Sequence, residues 1–319
     1  MRPDRARSGD ESLRHVAVPY GSDEAFVSLT VPRVRAALDA GRRVLVITGP
    51  TKLRLLADAL GRDAGRVDIR DSMSWYVHPY RTLAALHDYT RGRRTFVVGE
   101  PVWEGRSERG VSELIRYESV INAALHARPA ILWCLYDVRH VPASVLGHTH
   151  LTHPLLLGPG GEAPCARFVE PHDLVLDPDR APLPEPGGDA KTFEFTAREL
   201  KRLRRSVGEY ARAAGMDDDL VTSLVLSASE IAANSIEHGA GHGTITLWVE
   251  GEELVCEITD PGGALHDPLP GYIPPEPGSS RGYGLWISRQ LCDLVELRAE
   301  NGLLRVRLHL AMGPQAHAP

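Results

Sequence analysis

Apolar positions in the first half of the chain alternate between two patterns. Short continuous apolar runs, as in Val44-Leu45-Val46-Ile47 and Ile131-Leu132-Trp133-Cys134-Leu135, predict strands covered on both faces. Such strands are expected over His15–Pro19, Arg43–Thr48, Val67–Arg70, Thr95–Val98 and Ala130–Tyr136. Between them, Asp23–Ala40, Lys52–Leu60, Thr82–Tyr89 and Ser112–His126 space their apolar residues as a helix with one packed face does. Strand and helix in alternation is the order of βαβ units, so residues 14–176 are expected to form a doubly wound, mostly parallel α/β domain.

The pattern stops at D-P-D-R-A-P-L-P-E-P-G-G-D, Asp177–Asp189. Prolines there remove backbone donors and glycines raise chain entropy, so a linker over residues 177–190 without regular structure is expected. Beyond it the order changes. Helices are expected over Ala197–Ala214 and Asp217–Glu237, strands over Thr244–Glu250 and Leu254–Thr259, then a Gly- and Pro-rich loop and a helix from Tyr283 to Leu294. Asn301-Gly302 between two alternating runs predicts a hairpin with a type I′ turn. Helices on one face of a mostly antiparallel sheet, an α+β layer fold, follow for residues 191–312. Residues 1–13 and 313–319 are expected to be tails.

Length and charge narrow the classes. At 319 residues the chain exceeds a usual single core. With 43% apolar and 24% charged residues it has the balance of a globular protein, which excludes bulk disorder. A net charge of −6 speaks against direct nucleic-acid binding. The arginine-rich start has no apolar run behind it, and no stretch is long enough to cross a bilayer, so no membrane association is expected. Cys134, Cys165, Cys256 and Cys292 are widely spaced with no C-x-x-C, as expected of buried, reduced thiols in a cytoplasmic protein.

The richest helix is S-E-I-A-A-N-S-I-E-H-G, in which Glu230, Asn234 and His238 recur every four residues and share one face. Ser223 and Ser227 extend that stripe, and Leu224, Val225, Ile231 and Ala232 take the other side. Alone, such a stripe is more often a solvated face. Two further segments change its meaning. Asp260-Pro261-Gly262-Gly263 follows a strand, placing a carboxylate at the strand end beside glycines that let a ligand approach the backbone. Arg281-Gly282-Tyr283-Gly284-Leu285 then opens a helix, whose free first-turn amides favour an anion.

In order, E-x-x-x-N, D-P-G-G and R-G-Y-G-L resemble the N, G1 and G2 boxes of the GHKL superfamily over residues 192–310, and most resemble the anti-sigma-factor serine kinases. The resemblance implies a Bergerat-type α/β sandwich that binds ATP with Mg²⁺. It implies that Asn234 holds Mg²⁺ against the phosphates, that Asp260 reads the adenine amino group, and that Glu230 is the general base. Gly262, Gly263, Gly282, Tyr283, Gly284 and Leu285 would line the pocket. His238 would contact the nucleotide or simply close its helix, and Arg281 would touch phosphate or stand exposed in its loop. The implied partners are a STAS-type anti-sigma antagonist phosphorylated on Ser or Thr, a sequestered sigma factor and a second copy of the chain. Two departures favour an alternative, an ATP-binding switch without catalysis: the prolines of Ala264–Ser280, where the ATP lid lies, imply a rigid segment, and Trp286 is bulky beside the phosphate loop. A histidine kinase is disfavoured because the linker stands where a phosphoacceptor hairpin would.

In the first half, Gly49 and Lys52 follow a strand but lack the G-x-x-x-x-G-K-[ST] spacing, so no second ATPase site is expected. W-Y-x-x-P-Y-R-T, G-E-P-V-W, R-Y-E and L-Y-D resemble the MEDS sensory domain, which implies a RecA-like fold over about residues 14–171. Glu100, Trp103, Tyr117, Glu118, Tyr136 and Asp137 fall at or near strand ends, where doubly wound sheets bind ligands, and are expected either to share a pocket for a small-molecule signal or to pack and cap. His148, His150 and His153 lack a recognised metal-ligand frame and are expected to be exposed or capping. Arg198, Lys201, Arg202, Arg204 and Arg205 read as a solvated helix face, while the resemblance implies dimer contacts or an acidic partner there.

Overall fold

The computed structural model describes residues 12–265, 267, 269–275, 282–300 and 302–313. The chain divides into two compact units, residues 1–174 and 175–319, each with its own sheet.

The first unit runs β1 (Arg14–Tyr20), α1 (Asp23–Asp39), β2 (Arg43–Thr48), α2 (Pro50–Leu60), β3 (Asp68–Asp71), α3 (Ser72–Trp75), α4 (Pro79–Tyr89), β4 (Thr95–Gly99), α5 (Glu108–Ala124), β5 (Ala130–Asp137), α6 (Ala143–Thr152), β6 (Leu155–Gly158) and β7 (Gly161–Pro164). Its seven strands lie in the order β3-β2-β4-β5-β1-β6-β7, parallel except for β7, which pairs antiparallel with β6. Caps explain why several helices start earlier than apolar spacing predicts. The Ser107 hydroxyl accepts from the Gly110 amide at the start of α5, and Pro50 and Pro79 occupy first-turn positions whose amides have no helical partner to lose. Period-two alternation sorts the strand side chains. Val16, Val18, Trp133 and Leu135 join a core with Phe26, Val34 and Leu56 of α1 and α2. His15, Cys134 and Tyr136, at the alternate positions, point to the other side of the sheet. The register aligns His15 with Leu132 and Ala17 with Cys134.

The second unit runs α7 (Asp177–Arg180), β8 (Lys191–Thr196), α8 (Leu200–Ala213), α9 (Asp218–His238), β9 (His242–Glu250), β10 (Glu253–Pro261), α10 (Tyr283–Leu291), β11 (Leu294–Glu300) and β12 (Leu303–Ala311). Its five strands are all antiparallel, in the order β11-β12-β10-β9-β8. Leu224, Ala228 and Ile231 of α9 meet Ile245, Cys256, Ile258 and Leu308 of the sheet in one core. Gly302 takes φ +76° in the β11–β12 turn, and Asn301 lies outside the described residues. The helix expected to reach Leu294 ends at Leu291, because Cys292 is extended and Leu294 begins β11.

The expected structureless linker is corrected in two respects. Residues 177–180 form one helical turn, α7, in which the Asp179 carboxylate accepts from the Leu176 amide. The stretch that follows lies against the sheet. The Pro184 carbonyl accepts from Arg307 at 2.7 Å, and Arg307 also binds Glu257 at 2.7 and 3.0 Å while its guanidinium sits 4.9 Å from the Trp248 ring centre. Among the described residues no helix is long and apolar enough to cross a membrane.

Candidate functional site

Helix α9 carries the polar face predicted for it, with one exception. Asp218 and Asp219 occupy its first turn, where carboxylates favour the helix dipole. Ser227, expected on the exposed stripe, is fully buried with its hydroxyl unpartnered among the described residues, and Ser223 bonds back to the Asp219 carbonyl at 3.0 Å. The stripe that remains is Glu230, Asn234 and His238.

Glu230 and Asn234 converge on the first turn of α10. A β-carbon placed on Gly284 would lie 3.2 Å from the Glu230 Oε2 and 3.2 Å from the Asn234 Nδ2. Both side chains are half-buried, and neither makes a hydrogen bond among the described residues. Gly282 is the N-cap of α10 in the left-handed region, φ +89°, and offers no side chain to the helix amides. The first turn therefore keeps open amides beside an unpaired amide and carboxylate.

Asn234 and His238 line a cavity of about 310 Å³ together with Asp260, Gly263, Gly282, Gly284 and Leu285. Ile231, Ile258, Leu304 and Val306 give it an apolar floor. Gly262 stands beside the cavity, at φ +102°, with its amide bonded to the Gly302 carbonyl at 2.7 Å. Tyr283 stands beside it too, edge-on to Trp286. Arg281 lies outside the described residues.

Asp260 is the buried anchor of the far wall. It is the last residue but one of β10, opposite Leu304, is 4% exposed, and accepts from the Ala240 amide at 3.0 Å through Oδ1. Two glycines make room for it. A β-carbon at Gly239 would lie 1.7 Å from Oδ2, and one at Gly263 would lie 2.9 Å from Oδ2 and 2.7 Å from the Leu304 β-carbon. Gly239 reads in sequence only as the end of a helix, so its part in the site was missed.

The expected lid is described up to residue 275 except for residues 266 and 268, and residues 276–280 lie outside the described set. Its described base is tied down. Arg289 of α10, 2% exposed, donates to the Pro270 carbonyl at 2.9 Å and to the Val295 carbonyl at 3.1 Å, with its guanidinium 3.7 Å from the Tyr272 ring centre. Gly271, at φ +72°, passes so close to Leu285 that a β-carbon would meet its backbone at 2.7 Å. Arg289 has no motif around it that sequence reading can recognise.

Glu230 also borders a groove between α8 and α9, lined by Arg204, Arg205, Arg212 and Leu226. The basic residues Arg198, Lys201, Arg202, Arg204 and Arg205 are all exposed, and the Arg204 guanidinium donates to the Ser229 hydroxyl.

In the first unit, the six candidate sensor residues separate into two groups. Glu100, Trp103 and Asp137 line a cavity of about 320 Å³ with Gly49 and Lys52, outside the carboxyl ends of β2, β4 and β5. The Lys52 ammonium stands 2.6 Å from Glu100 and 3.2 Å from Asp137. Tyr20 and Thr48 donate to Glu100 as well, and burial together with that carboxylate drives the Tyr20 hydroxyl above its ordinary pKa. Arg139 binds Asp137 at 2.8 and 2.6 Å and holds its carboxyl below the usual range. In sequence Lys52 belongs to a segment without the phosphate-loop spacing, and nothing there marks it as the partner of Glu100 and Asp137.

Tyr117, Glu118 and Tyr136 do not line that cavity; they are buried beneath it. Tyr136 stacks on Trp103 at 6.3 Å and meets the His153 ring edge-on at 5.7 Å. Of the two alternatives expected for the histidine triplet, exposure or capping, His153 takes the second, with its ring buried. His148 bonds back to the Ser144 carbonyl and His150 lies near Cys165, but His153, the residue that caps α6, is 0% exposed. Burial lowers the His153 pKa to about 4. Cys134, Cys256 and Cys292 are buried and Cys165 is half-buried, and none of the four is in a disulfide.

The comparisons agree with this division. Residues 14–154 match the family model described as the methanogen/methylotroph DcmR sensory domain, MEDS. Residues 193–310 match that of the histidine kinase-like ATPase domain. A crystal structure of the RsbU and RsbW domains of Rv1364c from Mycobacterium tuberculosis is similar at 17% identity and a TM-score of 0.30, covering 43% of this chain and 35% of that one. The match thus spans about a third of that chain's length. No curated protein matches the chain significantly. The chain carries a MEDS sensory domain followed by a histidine kinase-like ATPase domain.

Proposed function

We propose that the second unit binds ATP with Mg²⁺ between α9, α10 and β10, and transfers the terminal phosphoryl group to Ser or Thr of a STAS-type anti-sigma antagonist. In this reading the chain is a cytoplasmic anti-sigma factor acting as a homodimer, and the first unit senses a small-molecule signal. The observation that carries it is the convergence of Glu230 and Asn234, both unpaired among the described residues, on Gly284 at the open amide end of α10.

The residues present suit the ligand. Asp260 keeps Oδ2 clear of carbon through Gly239 and Gly263, leaving an acceptor for an adenine amino group. The Asn234 amide offers the single oxygen that Mg²⁺ needs when phosphates and waters complete its shell, and the ion would neutralise phosphate charge. The α10 amides, with Gly282 and Gly284 leaving the backbone bare, suit the phosphates. Glu230 does not line this cavity, but it lies beside Gly284, which does, and it borders the basic α8–α9 groove, which supports a role in taking the proton of a hydroxyl entering from the groove as that oxygen bonds to phosphorus and ADP departs. The exposed arginines of α8 fit an acidic partner.

Incubation with Mg-ATP and candidate antagonists should yield phosphoserine or phosphothreonine; failure across every such antagonist of the source genome rejects the kinase. Glu230→Ala should remove transfer while largely sparing nucleotide affinity, and equal loss of both rejects its role as base. The Arg289 tie on the lid base favours a second reading, a non-catalytic switch. Tight nucleotide binding and nucleotide-dependent partner capture without transfer would select it. Hydrolysis independent of any partner would point instead to an ATPase outside sigma control.

A further inference from the structure

The first unit holds a group of buried side chains that neither the ATPase reading nor the Lys52 cavity uses. His15 of β1, Glu118 of α5, Cys134 of β5 and His153 at the end of α6 bring one ligand atom each within 4.8 Å of one another, and all four are buried. The His15 Nε2 lies 3.1 Å from the Cys134 sulfur and 3.3 Å from the Glu118 Oε2; the His153 Nε2 lies 3.4 Å from the same oxygen.

Hydrogen bonds around the group fix which ring nitrogens point inward. Asn122 donates through Nδ2 to the Ser119 carbonyl at 3.0 Å and the Thr152 carbonyl at 2.8 Å, so its Oδ1 is the acceptor that faces the His15 Nδ1 at 3.0 Å. The His15 Nδ1 therefore carries the proton. The His153 Nδ1 likewise donates to the Thr149 carbonyl at 3.1 Å. In the neutral rings both Nε2 atoms are then bare lone pairs, and they meet a carboxylate and a sulfur. Among the described residues, the thiol hydrogen is then the only proton of the cluster available to join its four acceptors. Consistently, both Glu118 oxygens and the His153 Nε2 lack a hydrogen-bond partner among the described residues. A buried cluster of acceptors without donors is costly unless a cation sits among them.

We propose that this cluster is a structural zinc site with Cys134 thiolate, His15, His153 and Glu118 as its ligands. Zinc bound at about 2.0–2.1 Å to nitrogen or oxygen and about 2.3 Å to sulfur holds its tetrahedral ligands about 3.3–3.7 Å apart, close to the three spacings of 3.1, 3.3 and 3.4 Å given above, with all four atoms inside 4.8 Å. A thiolate, two imidazoles and one carboxylate form the borderline-soft, four-ligand set that zinc favours. The outward Nδ1 contacts to an amide and a carbonyl are those that orient histidine ligands in such sites. On binding, Cys134 gives its proton to solvent. The ion braces the wall of the Lys52 cavity, because His153 meets Tyr136 edge-on and Tyr136 stacks on Trp103.

The test uses the full chain. Protein from zinc-replete cells, desalted, should contain equimolar zinc by mass spectrometry. Unfolded with chelator and refolded with Co²⁺ alone, it should show the visible bands of tetrahedral cobalt and a thiolate-to-cobalt charge-transfer band. Cys134→Ser should abolish the charge-transfer band and Cys165→Ser, at a thiol outside the cluster, should retain it. Well-folded wild-type protein, by circular dichroism, that holds no zinc by the first route and no tetrahedral cobalt by the second overturns the proposal. So does a charge-transfer band that survives Cys134→Ser. The wild-type metal content decides the matter even where a variant does not fold.

Discussion

Gly239 leaves empty the space that the Asp260 carboxylate occupies: a β-carbon there would stand 1.7 Å from Oδ2. No rotamer change at position 239 relieves that contact, since it involves the β-carbon itself. Gly239→Ala must therefore displace Asp260 from its bond with the Ala240 amide. Calorimetry with Mg-ATP should show affinity at least about tenfold weaker, about 1.4 kcal/mol. Gly188→Ala, where a β-carbon meets nothing within 4 Å, serves as control; equal affinity in the two variants would remove Asp260 from the nucleotide site.

Arg289 joins α10 to the base of the lid segment through the Pro270 carbonyl and the Tyr272 ring. Arg289→Met keeps much of the volume but removes the donors to two carbonyls. A loss of about 1–3 kcal/mol in stability is expected, read by urea unfolding. Nucleotide release should quicken in stopped flow, and unchanged release would show that the tie does not govern the lid.

Glu257 and Arg307 form a pair that is 3% and 2% exposed on the sheet face opposite α9. Removing one partner leaves a buried charge, so Glu257→Ala should cost about 3–5 kcal/mol. The double change Glu257→Leu with Arg307→Met should cost clearly less than the single one. Simple additivity of the separate losses would contradict the pairing.

Acid should act on the first unit through Asp137, whose carboxyl is held below its usual range, chiefly by Arg139. A depressed folded pKa contributes stability that is complete above the unfolded value of about 4 and fades as pH falls below it. The stability gap between the wild type and Asp137→Asn should thus be widest above pH 5, on the order of one unit past that value, and narrow steadily in stronger acid. Urea unfolding over a pH series measures it, and a constant gap would refute the assignment.

Much of the fold is legible in the pattern of apolar residues. Strands such as Arg43–Thr48 are covered on both faces, so their continuous apolar runs mark them to the residue. The short strand β6 and the edge strands β7 and β8 are less visible, because short runs of half-exposed residues carry little pattern. In the candidate site, Asp260, Gly282 and Gly284 announce themselves by lying where a strand ends or a helix begins, and Asn234 by its four-residue spacing from Glu230 and His238. Gly239, Lys52, Arg289 and His15 do not. Their roles come from partners far along the chain, which alternation cannot identify.

The four residues His15, Glu118, Cys134 and His153 come from nearly the whole length of the first unit, 15 to 153. Joining them closes loops of very unequal length, and the entropy of those closures is recovered only once the central strands have aligned. The knot at the centre of the sensory domain is therefore tied late as the chain refolds, and fraying of either edge strand, β3 or β7, leaves all four of its residues in place.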